Sequence, residues 1–139
     1  MNELTTAIYT RSQVSSNFKT SIGGRFYFVK ASAAATYPYV VYFILSDKPE
    51  YYLNSQSTNA SNFENLRIVF NVHSNIVSSS SEAGTILGYL KTHFDDCDLT
   101  VTGWNDIKIE RRKTLGPFWD QTIGEWIYSV EYEIILQKS

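Results

Sequence analysis

An unbroken apolar run from Tyr39 to Leu45, closed off by Pro38 on one side and by Ser46–Pro49 on the other, most constrains the fold of this chain. The run is too short for a typical helix, and it consists of aromatic, β-branched and leucine residues. A continuous apolar segment of this length is typical of a strand that is buried on both faces. We therefore predict a strand at the centre of a sheet.

Alternation of apolar and polar residues predicts further strands in the second half of the chain. Leu66–Val72 has one apolar and one mixed face, and Trp126–Leu136 has large side chains at every second position. Shorter β-prone stretches occur at Arg25–Val29, Leu99–Thr102 and Ile107–Arg111. Together these segments predict a sheet of about five or six strands.

Two segments have helical periodicity. Asn2–Val14 places apolar residues on one face, and it is followed by a serine-rich connection, Ser15–Ser21. Ser79 and Glu82 have the spacing of a capping box ahead of an apolar stripe that ends at Phe94. We predict a short N-terminal helix and one main helix.

Runs of strands separated by one capped helix predict the α+β class, with an antiparallel-rich mixed sheet and both helices packed on one face. The 139 residues fit one domain, 1–139, and 43% of them are hydrophobic, which is enough for one core. Only 19% are charged whereas 15% are aromatic. This balance indicates a chain that buries surface against copies of itself or other proteins.

The charge distribution argues against direct nucleic-acid recognition. The formal net charge is −2, and the longest block of like charge is Arg111-Arg112-Lys113. Cys97 is the single cysteine, so an internal disulfide is excluded. The sequence contains neither a signal-peptide pattern nor an eighteen-residue apolar span, so we expect no membrane association and assembly in a reducing cytoplasm.

Few residues could support metal binding or catalysis. The candidates are His73, His93, Cys97, Asp95, Asp96 and Asp98. His93 and Cys97 are four residues apart at the end of the main helix, but the neighbouring aspartates disfavour a reactive thiolate. Structural metal sites normally need four ligands at fixed spacing. We therefore expect no enzyme activity, no metal and no cofactor.

Two segments are candidates for protein contacts. The first, Asn54–Asn62, is wholly polar and predicts a mobile arm. The second, Arg111–Glu125, lies between two strand signals and combines cations, aromatics and bend-forming glycines, which predicts a hairpin arm that bends away from the sheet and cannot bury its aromatics locally. The candidate interface residues are Asn54, Gln56, Asn59, Asn62, Arg111, Arg112, Phe118 and Trp119.

The cationic and aromatic mixture of the second segment has an alternative interpretation. Single-strand nucleic-acid binders use the same residue types. Arginine and tryptophan are also enriched at the energetic centres of protein interfaces, which is the interpretation we favour for one isolated cluster.

Several short motifs occur in the order found in one protein family. Gly23-Gly24-Arg25-Phe26-Tyr27 is followed by Pro38-Tyr39-Val40-Val41-Tyr42, then by the polar arm and the Leu66–Val72 strand. Ser81-Glu82-Ala83 opens the main helix, and Ile107–Arg111 with Trp126–Leu136 forms the last strand pair. In this arrangement the chain resembles the bacteriophage tail-completion, or tail-terminator, family.

The resemblance implies a structural virion protein that forms a ring, generally a hexamer, at the head-proximal end of the tail. Such a ring terminates polymerisation of the tail-tube protein and offers a docking surface to the head connector, with DNA only passing through its lumen. The alternatives are another neck, head–tail joining or baseplate protein of the same particle, and a small-ligand-binding α+β domain with a pocket lined by Tyr39, Tyr51 and Trp104.

Overall fold

The computed structural model describes residues 2–50 and 63–138 of the chain. Its helices are α1 (Asn2–Ser12), α2 (Asn17–Ile22) and α3 (Ser81–Phe94). Its strands are β1 (Phe26–Phe28), β2 (Tyr39–Glu50), β3 (Phe63–Ser74), β4 (Trp104–Asp120) and β5 (Glu125–Lys138).

The five strands form one sheet in the order β1-β2-β3-β5-β4. β1 pairs with β2 in parallel, and the three other pairs are antiparallel. The predicted α+β class with an antiparallel-rich mixed sheet is therefore confirmed. β5 lies between β3 and β4, so the hairpin formed by β4 and β5 docks onto β3 along its full length.

One face of the sheet carries the helices and the core. The alternate β3 residues Leu66, Ile68, Phe70 and Val72 are all fully buried on this face. They meet the apolar stripe of α3, where the Phe70 and Phe94 ring centroids are 4.8 Å apart. The periodicities that predicted α3 and β3 thus reflect two surfaces that bury each other.

α3 begins differently from the predicted capping box. Ser80 is the N-cap and makes no side-chain cap bond. The hydroxyl of Ser79 accepts a hydrogen bond from the backbone N–H of Ser81 at 3.0 Å, and Glu82 accepts one from the Ser74 hydroxyl at 2.7 Å. The helix is confirmed, but the capping box is wrong, because Glu82 binds the end of β3 instead of the helix N-terminus.

The predicted serine-rich connection after α1 contains a second short helix. The Ser16 hydroxyl accepts a hydrogen bond from the backbone N–H of Lys19 at 3.1 Å, which caps the start of α2. Gly23 ends α2 in the left-handed conformation at φ 58°. Phe18 and Ile22 anchor this helix in the core.

The central apolar run is buried only in its first part. Val40, Val41 and Tyr42 are buried, whereas Leu45 is exposed, so the prediction of burial on both faces is wrong at its end. β1 pairs with β2 only as far as Tyr42, and a register shift follows between Ile44 and Ser46. β2 nevertheless continues to Glu50 because β3 pairs with it along that length.

The segment Leu99–Thr102 is not a strand. Val101 makes a single bridge to Trp104, and Leu99 and Val101 are buried in the core. Their apolar character, which predicted a strand, comes from closing one end of the core. Near this end, the Tyr132 hydroxyl donates a 2.6 Å hydrogen bond to Asp95, and burial together with this bond raises the pKa of Tyr132.

Candidate interface: the open sheet face and the β4–β5 hairpin

The second face of the sheet, which no described helix covers, is called the open face here. Side chains alternate along each strand, so Tyr128, Val130 and Tyr132 of β5 point into the core whereas their neighbours point to the open face. Two polar clusters and an apolar strip occupy this face. They are the features with the clearest capacity to contact another molecule.

The first cluster surrounds Glu125, which is only 3% exposed. The Tyr37 hydroxyl donates to one carboxylate oxygen at 2.6 Å, and Nδ1 of His73 lies 3.0 Å from the other. The His73 ring stacks on Tyr39 at 4.7 Å. The hydrogen bond to Glu125 raises the pKa of Tyr37, and burial raises that of Tyr39.

The second cluster places Arg67 between two buried carboxylates. Its guanidinium donates to Glu131 at 2.7 Å and lies 3.2 Å from Glu133. Asn65 donates to Glu133 at 3.4 Å, and the Lys113 ammonium lies 3.9 Å from Glu131. The hydrogen bond from Arg67 to Glu131 further raises the pKa of the guanidinium. Two cations therefore balance two carboxylates.

The apolar strip lies where β4 approaches its turn. Leu115, Phe118 and Ile123 are exposed, and Phe118 exposes 53% of its surface. Phe118 pairs with Ile127 and Leu115 with Ser129, which places both on the open face beside the Glu125 cluster. Exposed side chains of this size, clustered at one place, are typical of contact surfaces. We call Leu115, Phe118 and Ile123 the hairpin patch.

The predicted hairpin arm exists, but it does not bend away from the sheet. β4 pairs with β5 up to Asp120, across a register shift between Leu115 and Phe118. Trp119 is half-buried and packs on Trp126, with their ring centroids 5.1 Å apart. The prediction that this segment cannot bury its aromatics locally is therefore wrong for Trp119. It holds for Phe118.

The two predicted interface arginines already have partners within the subunit. Arg111 lies 3.5 Å from Asp95, and Arg112 lies 3.7 Å from Glu110. The Lys108 ammonium also pairs with Glu110 and lowers the pKa of that carboxyl. Both arginines are exposed on the edge strand, so they remain accessible to a partner. The four predicted contact residues of the polar arm, Asn54, Gln56, Asn59 and Asn62, lie outside the described residues.

His93 has a structural contact. Its Nε2 atom lies 2.6 Å from the carbonyl oxygen of Arg11, and the Arg11 guanidinium donates back to the carbonyl of His93 at 2.9 Å. This reciprocal pair joins α1 to α3. Burial lowers the pKa of His93, which favours its neutral form. Among the described residues, no group of three His, Cys, Asp or Glu side chains is arranged to hold a metal ion.

The residues proposed for an aromatic ligand pocket do not converge. Tyr39 aligns through His73 with Ile127 of β5, whereas Trp104 aligns with Lys138. Eleven residues of a strand span roughly 36 Å, so these two aromatics lie at opposite ends of the sheet. Tyr51 lies outside the described residues. The predicted pocket is therefore wrong for Tyr39 and Trp104.

An open groove of about 520 Å³ runs between α1 and residues 98–102. It is lined by Asn2, Glu3, Thr6, Ala7, Thr10, Arg11, Val14, Asp98, Leu99, Thr100 and Thr102. The Arg11 guanidinium is hydrogen-bonded to the carbonyl of His93.

Within residues 2–50 and 63–138, no helix has the length and apolar character needed to cross a bilayer.

Sequence reasoning missed both polar clusters of the open face. His73 and Glu125 are 52 residues apart in sequence, and Arg67 and Glu131 are 64 apart. The sequence does show polar residues at the alternate positions of β3 and β5 that form the open face, so it indicates that this face is not simply apolar. It does not indicate which charged residues of the two strands pair with each other.

No protein-family model and no curated protein matches this sequence. Among solved structures, a chain from the virion of a native gene transfer agent particle aligns with a TM-score of 0.77 at 9% identity, over 96% of this chain and 94% of that chain. A second solved chain aligns with a TM-score of 0.64 at 13% identity, over 96% of this chain and 94% of that chain. At these identities the likenesses show a shared fold, and that fold extends over nearly the whole of this chain.

Proposed function

We propose that this protein is a structural virion subunit that forms a ring at the head-proximal end of a phage tail. The ring ends polymerisation of the tail tube and offers a docking surface to the head connector. The observation that carries the proposal is the fold, which matches a chain of a virion particle across 96% of this chain. The motif order from Gly23 to Leu136 supports the same assignment through its resemblance to tail terminators.

The two sides of the subunit differ in a way that suits this role. One side carries the helices and the other carries the open face with its charge clusters and hairpin patch. A subunit that matches the tube on one surface and exposes a different opposite surface makes a heterologous contact that cannot repeat. Growth then stops without any bond being made or broken, so the proposal requires no catalytic site.

The proposal is tested by measuring the mass of the purified protein and by imaging it in negative stain. Closed rings, generally hexamers, are expected, and adding the protein to polymerising tail-tube subunits should shorten the tubes. The matched control is the same tube reaction with a Phe118→Ala variant, which lacks the exposed aromatic ring of the hairpin patch and is expected to assemble poorly.

Three results would separate the alternatives. Rings that leave tube length unchanged but bind connector protein would indicate a different neck or joining protein. A permanent monomer that binds a small molecule stoichiometrically would indicate a ligand-binding domain. Tubes of unaltered length together with absence of rings would refute the proposed function.

A further inference from the structure

A second apolar patch lies at the opposite edge of the sheet from the hairpin patch. It consists of Phe28 and Val29 at the end of β1 and Tyr9 on α1, all three of which are exposed. The Tyr9 ring lies 6.4 Å from Phe26, two residues before Phe28. We call these three residues the edge patch.

We propose that the edge patch of one subunit packs on the hairpin patch of a second copy, so that the two patches form one head-to-tail contact. This inference rests on the proposed ring. A heterologous contact needs two different surfaces on one chain, and rotation closes it into a ring. β1 and β4 are the two outer strands of the sheet, so the patches lie on opposite sides of the subunit.

The two patches differ in position along the sheet and in the face that they occupy. The ladder of paired residues runs from Phe28 through Tyr42, Phe70 and Val130 to Thr114, the neighbour of Leu115, whereas Phe118 pairs with Ile127, three residues or roughly 10 Å along β5 from Val130. Phe28 packs beside Tyr42 on the helix side of the sheet, with the ring centroids 5.2 Å apart, whereas Leu115 and Phe118 lie on the open face. The chain therefore offers two different surfaces, as a head-to-tail contact requires, and such a contact gives a ring when its rotation closes.

Backbone strain at Val29 is an independent observation. Val29 has φ 69°, in the left-handed region, and it exposes 60% of its surface. A β-branched residue is rarely found there, and such outliers concentrate at sites of function. The Val29 N–H donates to the carbonyl of Tyr42 at 2.8 Å, which holds this conformation at the end of β1. An apolar side chain kept exposed on a strained backbone is explained by a partner that covers it.

Charge complementarity favours a second copy as the occupant. Lys30, which is exposed, follows Val29 directly, whereas Asp120 ends β4 two residues after Phe118. Packing the edge patch on the hairpin patch brings these opposite charges to the rim of one contact.

The contact is made by side chains, not by extension of the sheet. β1 is only three residues long, and β4 contains three register shifts, features that block strand addition at an edge. Twist between neighbouring strands accumulates to roughly 90° across the sheet, so the two edge strands do not run alongside each other.

Mixing two variants tests the inference. Val29→Asp disrupts the edge patch and Phe118→Asp disrupts the hairpin patch, and aspartate tolerates the left-handed backbone of position 29. Each variant alone should be a folded monomer, because a charge in an apolar contact weakens association by roughly a hundredfold. An equal mixture retains one intact contact and should form heterodimers that grow no further. Val77→Asp, which replaces an exposed valine that belongs to neither patch, is the matched control and should form rings.

Val29→Gly separates a contact role from a structural one. Glycine adopts the left-handed conformation freely, so the fold of this variant should be at least as stable as that of the parent. Its rings should nevertheless be weaker, so that on dilution they begin to dissociate at a higher protein concentration than the parent rings do. Native mass spectrometry and urea denaturation measure the two properties.

Rings of unchanged stability in both aspartate variants would overturn the inference and leave the proposed function standing. Dimers formed by one variant alone would show that its intact patch pairs with itself, which also overturns the inference. A parent protein that never forms rings would overturn both.

Discussion

Removing the Glu125 carboxylate should lower the free energy of unfolding by about 3 kcal/mol. Glu125 is buried and accepts hydrogen bonds from Tyr37 and the His73 ring, and a hydrogen bond to a charged group contributes about 1.5–3 kcal/mol. The loss for the two hydrogen bonds together stays near the lower end of twice that range, because Tyr37 and His73 are half-buried and water can reach them after Glu125→Ala. For a chain of this size, the change corresponds to a decrease of about 10 °C in Tm.

Urea denaturation followed by tryptophan fluorescence measures this loss, since Trp126 is the neighbour of Glu125. Tyr37→Phe removes one of the two hydrogen bonds and should cost about half as much. Combining Tyr37→Phe with Glu125→Ala should cost little more than Glu125→Ala alone. Glu3→Ala is the control, because this exposed glutamate in the first turn of α1 contributes about 0.5 kcal/mol or less.

Two results would refute this reasoning. A cost below about 1 kcal/mol for Glu125→Ala would mean that water solvates the carboxylate in the folded protein. Fully additive costs for the two substitutions would mean that Tyr37 and Glu125 do not interact.

Three further measurements bear on assembly, pH dependence and metals. Phe118→Ala should weaken association of the subunits by about 2.5 kcal/mol per contact, because Phe118 exposes 53% of its surface and so presents roughly 100 Å² to a partner. The free energy of unfolding should change little, and unchanged sedimentation on dilution would contradict this prediction. The free energy of unfolding should be at its full value below pH ~10 and should fall as the pH rises further. Burial raises the pKa of Tyr42 to about 12, so in this range the folded state keeps a proton that the unfolded state has released. Urea midpoints that stay constant from neutral to alkaline pH would contradict this prediction. A chelator should leave Tm unchanged, and a lower Tm would reveal a bound metal.

The sequence predicted the elements whose two surfaces differ most. α3 and β3 were identified because one face of each is apolar at the period of its backbone. α2 was missed since it is six residues long, although Ser16 and Gly23 carry recognisable capping signals. The Leu99–Thr102 segment was misassigned because its apolar residues close one end of the core, and Val101 forms an isolated bridge to Trp104 instead of part of a strand.

The candidate interface was only partly predictable. Phe118 stands out in the sequence as an aromatic residue near a turn, and the structure leaves it exposed. Trp119 has the same appearance, but its contact with Trp126 depends on the register between β4 and β5. The exposure of Val29 and its backbone conformation could not be predicted, because they depend on where β1 stops pairing with β2.

The position of β5 between β3 and β4 has a consequence for how fast the chain folds. β4 and β5 are joined by a short turn and can pair early, but β5 must then find β3, and His73 and Glu125 are 52 residues apart. Closing such a loop costs chain entropy before any contact rewards it, so pairing of β3 with β5 should limit the folding rate to the slower range of small domains. The Glu125 cluster spans this late junction, and Trp126 next to it would report the moment at which the two halves of the sheet join.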